Sequence, residues 1–187
     1  MNILIINGSL GGASGNTSIL LTAAKKYISE HSGHYEIIHL ENNESDLKEK
    51  LSWADGFIFS SGTYWDSWGS PMQRFLETST EFEASEIFLG KSASVIITMH
   101  SVGGKEVLSR LQGVLSTMGL AIPPMSGLVY SLSNHLALQN SQSDFSDDFW
   151  SLDDIEIVIH NLMTAVKGNR HYKSWPIDRK DPKRRWL

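Results

Sequence analysis

Glycines and hydroxyl-bearing residues are concentrated in one short stretch, directly after the apolar opening MNILII. This stretch, NGSLGGASGNTSILL at residues 7–21, contains four glycines and four Ser or Thr hydroxyls. Glycine lets backbone N–H groups approach a ligand closely, and short hydroxyls add hydrogen-bond donors without bulk. A helix start adds unpaired N–H groups and the positive end of the helix dipole. The stretch therefore predicts an anion site, most simply a site for a phosphate.

Two common phosphate-binding motifs do not fit this stretch. Its glycine intervals differ from the dinucleotide fingerprint G-x-G-x-x-G, and no lysine precedes Thr17 as a P-loop requires. Neutral donors without lysine or arginine better suit a terminal monoester phosphate. The alternative is an irregular turn in which Asn16 or Thr17 caps the helix.

Aromatic residues follow the third apolar run, in SSGTYWDSWGSPMQRFLE at residues 60–77. Tyr64, Trp65 and Trp68 stand among glycines and serines at the predicted carboxyl end of a buried strand. Aromatic rings in such a position can stack on a flat ligand. The alternative is that they fill the core or a subunit interface.

A third glycine-bearing stretch, MHSVGGKEVL at residues 99–108, follows the next apolar run. Its two glycines precede a strong helical pattern and allow another close backbone approach. His100 has no Asp or Ser partner at a defined spacing, so we expect a structural or pocket-lining role rather than a general base. The other histidines show no metal-ligand spacing, and His31 and His34 flank a glycine at a helix end. The sequence therefore predicts no metal site.

Alternating strands and helices must position these stretches. Short apolar runs predict strands at residues 3–6, 35–40, 56–60, 93–99 and 126–130. Helical apolar spacing predicts five helices, whose apolar faces begin at Ile19, Leu47, Met72, Val107 and Ile155. Five strands alternating with five helices indicate an α/β protein with an open, doubly wound parallel sheet. The serine-rich segment at residues 131–148 predicts a long loop.

Composition indicates an ordinary globular protein of 187 residues with 41% hydrophobic and 20% charged residues. A net charge of -5 argues against nucleic-acid binding, and the absence of cysteine excludes disulfides and thiolate-bound clusters. The opening is too short for a signal peptide, and no apolar run approaches the ~20 residues of a membrane span. We therefore expect a cytoplasmic protein without a membrane partner. We expect one domain over residues 1–170 and a solvated basic tail over residues 171–187.

Taken together, the three stretches resemble the NADPH-dependent FMN reductase family. The first is similar to the family loop G-S-x-R-x-x-S-x-N-x-x-L, and its SGNT portion resembles the phosphate loop of flavodoxins. GTYWDSWGSPMQRFLE is similar to the family segment P-x-Y-x-x-x-x-(A/S)-P-L-K-x-F-L-D. HSVGGKEVLSRLQGVLSTMGL resembles the third, glycine-bearing loop and its helix. The resemblance spans residues 1–124, with two departures: Gly11 replaces the usual arginine and Gly62 the usual proline.

The resemblance implies a flavodoxin-like three-layer sandwich with a five-stranded parallel sheet in the order 2-1-3-4-5. It implies an FMN-dependent oxidoreductase with NAD(P)H as substrate. Gly62 and Gly69 leave the second stretch lightly built and favour one open face of the ring, which both substrates would use in turn by a ping-pong mechanism. The electron acceptor would be a quinone, an azo or nitro compound, a metal oxyanion or free flavin. The flavin carries this chemistry, so we expect no catalytic side chain. Family members commonly form homodimers or homotetramers.

The resemblance also implies a cofactor site distributed over the three stretches. The expected phosphate contacts are Ser9, Ser14, Gly15, Asn16 and Thr17. The expected ring contacts are Thr63, Tyr64, Trp65 and Asp66, and the expected ring-edge contacts are His100, Ser101, Val102, Gly103 and Gly104. Two alternatives stay open: a flavodoxin-type electron carrier, and a binding module that kept the fold but lost the flavin.

Overall fold

The computed structural model describes residues 1–42, 46–139 and 151–168. Its single sheet consists of β1 (Asn2–Asn7), β2 (His34–His39), β3 (Gly56–Gly62), β4 (Ser92–Met99) and β5 (Gly127–Ser131). All neighbouring strands are parallel and the order is β2-β1-β3-β4-β5, which confirms the expected fold class and strand order. β1 lies between β2 and β3, so the chain runs from β1 to β2 on one side and then crosses over β1 to β3 on the other side. The carboxyl end of β1 is therefore the switch point at which doubly wound proteins bind ligands.

Six α-helices lie in the described residues: α1 (Thr17–Glu30), α2 (Leu47–Trp53), α3 (Ser70–Thr78), α4 (Gly104–Thr117), α5 (Leu132–Gln139) and α6 (Ile155–Lys167). Two short 3-10 helices, Gly12–Ser14 and Ser79–Phe82, precede α1 and follow α3. Pro71 lies in the first turn of α3, where its missing N–H costs nothing. Gly168 is the C-cap residue of α6.

Two hydrophobic layers sandwich the sheet. Phe57 and Phe59 of β3 face the layer that contains α2, α3 and α4, whereas Ile58 faces the layer formed by α1 and α6. All three side chains are fully buried. Because both faces of the central strands are covered, their residues are apolar in succession rather than in alternation.

The prediction of a loop over residues 131–148 is wrong for its first part, because α5 begins directly after β5. Polar groups hold the start of this helix: Ser131 Oγ accepts a bond from the Asn134 N–H at 3.3 Å, and the Ser133 N–H donates to the His100 carbonyl at 2.9 Å. The residues that begin α5 are polar and make local hydrogen bonds instead of forming a clear apolar stripe, so apolar periodicity does not predict this helix. The rest of the predicted loop, residues 140–148, lies outside the described residues.

The predicted domain boundary at residue 170 and the basic tail at residues 171–187 also fall outside the described residues and stay predictions. Within the described ranges, no helix has the combination of length and apolar character needed to cross a membrane.

Candidate functional site

The first loop (residues 8–16) joins β1 to α1 and is shaped by the buried side chain of Asn7. The Asn7 amide nitrogen donates to the Gly12 carbonyl at 2.9 Å, and the amide oxygen accepts from the Ser9 N–H at 3.1 Å. Gly8 is required where the loop passes α3, since a Cβ there would lie 2.5 Å from Met72 Cβ. The core beneath the first loop therefore fixes its course.

Polar groups of the first loop and of the α1 start point to a ligand. The Ser9 hydroxyl is buried and has no hydrogen-bond partner among the described residues. Asn16 is the N-cap residue of α1, yet its side chain makes no capping bond. The Thr17 hydroxyl pairs with Thr98 Oγ1 at 2.9 Å, which anchors the helix start to β4. Neutral donors thus stand beside the positive end of a helix, a setting suited to a phosphate.

The second loop (residues 63–69) begins with a tight hairpin. Tyr64 and Ser67 exchange backbone hydrogen bonds of 2.8 and 3.0 Å. Between them, Trp65 and Asp66 have φ angles of 50° and 57°. Positive φ at both central positions is the type I′ turn, which favours asparagine and glycine. The turn holds the Trp65 side chain fully exposed to solvent.

Contacts of the second loop bring all three sequence stretches together. Tyr64 Oη accepts a hydrogen bond from the Leu10 N–H at 3.0 Å, which links the second loop to the first. The Asp66 carboxylate contacts Gly103, in the third loop (residues 100–103), and a Cβ at Gly103 would collide with it. Gly103 also has a φ of 84°, so glycine is favoured there by conformation as well as by space.

A cleft of about 510 Å³ lies over the carboxyl ends of β1, β3, β4 and β5. This volume is in the range of roughly 300–1,000 Å³ that is usual for small-molecule sites. The predicted site residues that line the cleft are Ser9, Gly15, Asn16, Thr17, Thr63, Tyr64 and His100. The predicted site residues that do not line it are Ser14, Trp65, Asp66, Ser101, Val102, Gly103 and Gly104.

Trp68 also lies outside the cleft. The Arg110 guanidinium carbon stands 4.9 Å from the centroid of the Trp68 ring, and Trp68 Nε1 donates to Gln73 Oε1 at 2.8 Å. Arg110 also donates to the Asp66 carbonyl at 3.3 Å. These contacts hold the hairpin of the second loop against α4, so Trp68 stabilises the second loop without lining the cleft.

β5 and α5 contribute a part of the cleft that the sequence did not predict. Tyr130, Leu132 and His135 line the cleft. The rings of Tyr130 and His135 are 5.6 Å apart and tilted by 45°, and burial raises the pKa of the Tyr130 phenol. The prediction of a loop over residues 131–148 hid these residues. The available signal was that Tyr130 is the last residue of the predicted strand at residues 126–130, and the carboxyl end of a parallel strand must reach the same edge of the sheet as the others.

A carboxylate stands beside the first loop. Glu41, which follows β2, contacts Gly12, and a Cβ at Gly12 would collide with the Glu41 carboxylate. Gly12 has a φ of 48°, which also favours glycine. The charge next to the loop is therefore negative, whereas the family usually has an arginine at the position of Gly11.

The strand order and the cleft at the switch point define a flavodoxin-like protein. The sequence model of the NADPH-dependent FMN reductase family matches residues 1–135, and the chain belongs to that family. This confirms the resemblance found in the three stretches and supports an FMN-dependent oxidoreductase. A comparison with curated proteins gave no match.

Solved structures share the fold. The chain is similar to RosB with bound 8-demethyl-8-formylriboflavin-5′-phosphate, with a TM-score of 0.71 and 14% identity over 89% of this chain and 79% of that chain. For an apo NADH:FMN oxidoreductase (EMOB) the TM-score is 0.68, with 20% identity over 90% and 91% of the two chains. For a flavodoxin from the domain Archaea the values are 0.66 and 17%, over 90% and 100%.

The polar residues of the cleft fit the phosphate and the polyol chain of FMN. Ser9 Oγ and Thr63 Oγ1 are buried without a hydrogen-bond partner among the described residues, and both residues line the cleft. A buried polar group left unpaired costs about 1–3 kcal/mol, so polar atoms of a ligand in the cleft would gain by pairing with these two hydroxyls. No lysine or arginine of the described residues lines the cleft. A phosphate would therefore be held by neutral donors and by the amino end of α1.

Proposed function

We propose that this chain is a cytoplasmic, FMN-dependent NAD(P)H oxidoreductase that reduces a small acceptor by a ping-pong mechanism. When bound, FMN would supply the redox chemistry, taking hydride from NAD(P)H and passing electrons to the acceptor. The observation that carries the proposal is the pair of buried, unpartnered hydroxyls, Ser9 and Thr63, in the switch-point cleft of an FMN reductase family member.

The proposed phosphate site is the first loop with the start of α1. Ser9 Oγ, the Asn16 side chain and the backbone N–H groups at the start of α1 would donate to the phosphate oxygens. Ser14 does not line the cleft, so its proposed contact requires a shift of the 3-10 helix in which it lies. Thr17 would act through its backbone, because its hydroxyl is already paired with Thr98.

The proposed ring site lies between the second loop and the residues after β4. Tyr64 and His100 line the cleft from these two sides, and the bond from Leu10 fixes the position of the Tyr64 hydroxyl. Asp66 and Gly103 would act as positioning residues, because their contact holds the second and third loops against each other. Tyr130 closes the cleft on the β5 side.

The elements around the cleft expose apolar side chains, which supports an apolar acceptor. Of eight exposed large hydrophobic side chains in the described residues, five belong to these elements: Leu10, Ile19, Trp65, Val102 and Leu136. A flat, apolar acceptor such as a quinone suits such a rim.

The same rim suits the surface of a second subunit, so we propose a homodimer or homotetramer. NAD(P)H and the acceptor would use the same face of the flavin ring in turn, which is why we expect ping-pong kinetics.

An FMN titration of the purified chain tests the binding proposal. We expect FMN to be bound with a change in its absorption and fluorescence. Asn16→Ala should weaken FMN binding by about ten- to a hundredfold, because a hydrogen bond to a charged phosphate is lost. Riboflavin, which lacks the phosphate, should bind wild type and variant equally. Equal losses for both ligands would contradict a phosphate contact at Asn16.

Anaerobic addition of NADH or NADPH to the FMN-loaded chain separates an enzyme from a carrier. The proposal predicts bleaching of the flavin by nicotinamide alone, and parallel double-reciprocal lines when a quinone is the second substrate. A flavin that binds tightly but stays oxidised would favour the flavodoxin-type electron carrier. A chain that does not respond to FMN at all would favour a module that has lost the flavin.

A further inference from the structure

Three metal-ligating side chains meet on the surface formed by α1 and α6. His31 directly follows α1, and Glu156 and His160 are one turn apart on α6. One ring nitrogen of each histidine and one carboxylate oxygen of Glu156 all lie within 4.8 Å of one another. The rings of His31 and His160 have centroids 5.3 Å apart and are tilted by 59°. We call these three residues the His31 cluster.

The His31 cluster is remote from the cleft. His31 lies just before β2, whose first residue His34 pairs with Asn2 at the start of β1, so the cluster stands near the amino end of β2. None of its residues lines the cleft. In the described part of the chain, no hydrogen bond or ion pair engages these three side chains.

Two imidazoles and one carboxylate are a ligand set for a borderline transition metal. Zn²⁺ binds histidine nitrogen and carboxylate oxygen at about 2.0–2.2 Å, so tetrahedral ligands stand about 3.3–3.6 Å apart. The ligand atoms of the cluster lie within 4.8 Å of one another, and small side-chain rotations can shorten these distances because Glu156 and His160 are exposed. Three protein ligands leave one position for water or for a further ligand.

The geometry points to a zinc-class metal site at His31, Glu156 and His160 that fastens α6 to α1. The helices already pack against each other in the layer that contains Ile28 and Ile159. A metal bridging them would add a link between chain segments more than a hundred residues apart in sequence. The spacing of histidines along the sequence does not indicate this site, because only the fold brings position 31 to α6.

A zinc titration of the full-length chain without an affinity tag tests the site. At about pH 7.5 we expect competition with a colorimetric zinc indicator to show one bound equivalent. His31→Ala, His160→Ala and Glu156→Gln should each weaken binding at least roughly tenfold, since even indirect partners of a metal are often worth that much. His34→Ala is the matched control, because it removes an exposed histidine close to His31 without touching the cluster, and its affinity should equal that of wild type.

Thermal unfolding gives a second readout. Zn²⁺ should raise the Tm of wild type and of His34→Ala in a concentration-dependent manner, because it binds the folded state. At the same zinc concentration the rise should be smaller in Glu156→Gln, an exposed substitution that leaves the packing of α6 unchanged. Zinc affinity and Tm shifts that are the same in wild type and in all three cluster variants would overturn the proposal, as would the absence of zinc binding to wild type.

Discussion

Lys91 at the amino end of the β-sheet and two hydroxyls at its carboxyl end differ in whether their polar groups are paired. At the amino end, Lys91 Nζ donates to the Ala54 carbonyl at 2.6 Å and lies 5.6 Å from the centroid of the Phe57 ring. At the carboxyl end, the hydroxyls of Ser9 and Thr63 are buried without a partner in the described residues. Lys91 therefore serves the fold, whereas Ser9 and Thr63 stay available to a ligand.

This difference has an energetic consequence. Removing a paired group at the amino end costs stability, because its partner loses a hydrogen bond. Removing an unpaired hydroxyl at the carboxyl end costs the folded protein nothing and weakens only the binding of a ligand. Stability and ligand affinity should thus respond to different residues, and the following substitutions test that separation.

Asn7→Ala should have the largest effect, because the Asn7 side chain makes several hydrogen bonds that serve the fold at the carboxyl end. It would lose its bonds to Gly12 and Ser9 and the 3.0 Å contact of its amide nitrogen with His39 Nδ1. At about 0.5–1.5 kcal/mol for each hydrogen bond, we expect the free energy of unfolding to fall by about 2–4 kcal/mol. Urea unfolding measures this change.

Asn161→Ala is the control for Asn7→Ala. The Asn161 side chain makes one exposed hydrogen bond, to the Pro124 carbonyl at 3.0 Å. Its loss should cost less than about 1 kcal/mol. Equal losses for the two variants would mean that the first loop does not depend on Asn7.

Ser9→Ala should weaken FMN binding by about ten- to a hundredfold, because a donor to the charged phosphate is lost. Its stability without ligand should be unchanged or higher by about 1 kcal/mol, since a buried unpaired hydroxyl is removed. Ser94→Ala is the matched control: Ser94 Oγ is also buried without a partner among the described residues, but it does not line the cleft. That variant should bind FMN like wild type. If both variants bind FMN equally well, Ser9 is not a phosphate contact.

The sequence predicts the sheet well because buried parallel strands leave a strong signal. Residues 56–60 and 93–99 are apolar in succession, and the structure has β3 and β4 at these positions. The predicted and observed bounds of the strands differ by one or two residues. The ends of a strand carry polar residues such as Ser61, which donates to the Gly8 carbonyl, and a search for apolar runs does not include them. The strand order came from the family resemblance and is confirmed.

The site is predicted less completely, because contacts between loops depend on the fold. The three stretches are correctly expected to meet, but the sequence cannot show that Asp66 turns to Gly103 or that Trp68 packs on Arg110. Tyr130 and His135 were missed, since α5 is held by local polar bonds rather than by an apolar face. The His31 cluster escaped for a related reason, because its members are far apart in sequence.

Lys91→Met tests the amino end and should cost about 1 kcal/mol near neutral pH, because the Ala54 carbonyl loses a charged donor. Burial lowers the pKa of Lys91 from its ordinary 10.5, although the Asp55 and Glu86 carboxylates oppose this. Between the lowered pKa and 10.5 the unfolded chain binds more protons than the folded one, so stability rises with pH. Lys91→Met should lack this alkaline rise.

Urea unfolding over the alkaline range measures the contribution of Lys91. The stability difference between wild type and Lys91→Met should widen as pH increases through this window. Lys26→Met is the control, because the Lys26 side chain is exposed and its ion pair with Glu30 is 3.9 Å long. The same pH slope in wild type and Lys91→Met would contradict a buried, destabilised charge at position 91.

Glu41→Gln should have the smallest effect and returns to the carboxyl end. The exposed Glu41 carboxylate contacts Gly12 of the first loop, so it should repel a phosphate bound on that loop. Interactions between exposed charges are worth about 0.2–1 kcal/mol, so FMN should bind about two- to threefold more tightly to the variant. Riboflavin should not respond, and added salt should remove the difference by screening. Glu36→Gln, an exposed change on β2, is the control and should leave FMN affinity unchanged. Weaker FMN binding by Glu41→Gln would show instead that the carboxylate shapes the first loop, and this contact would then belong with Asn7 among the groups that serve the fold.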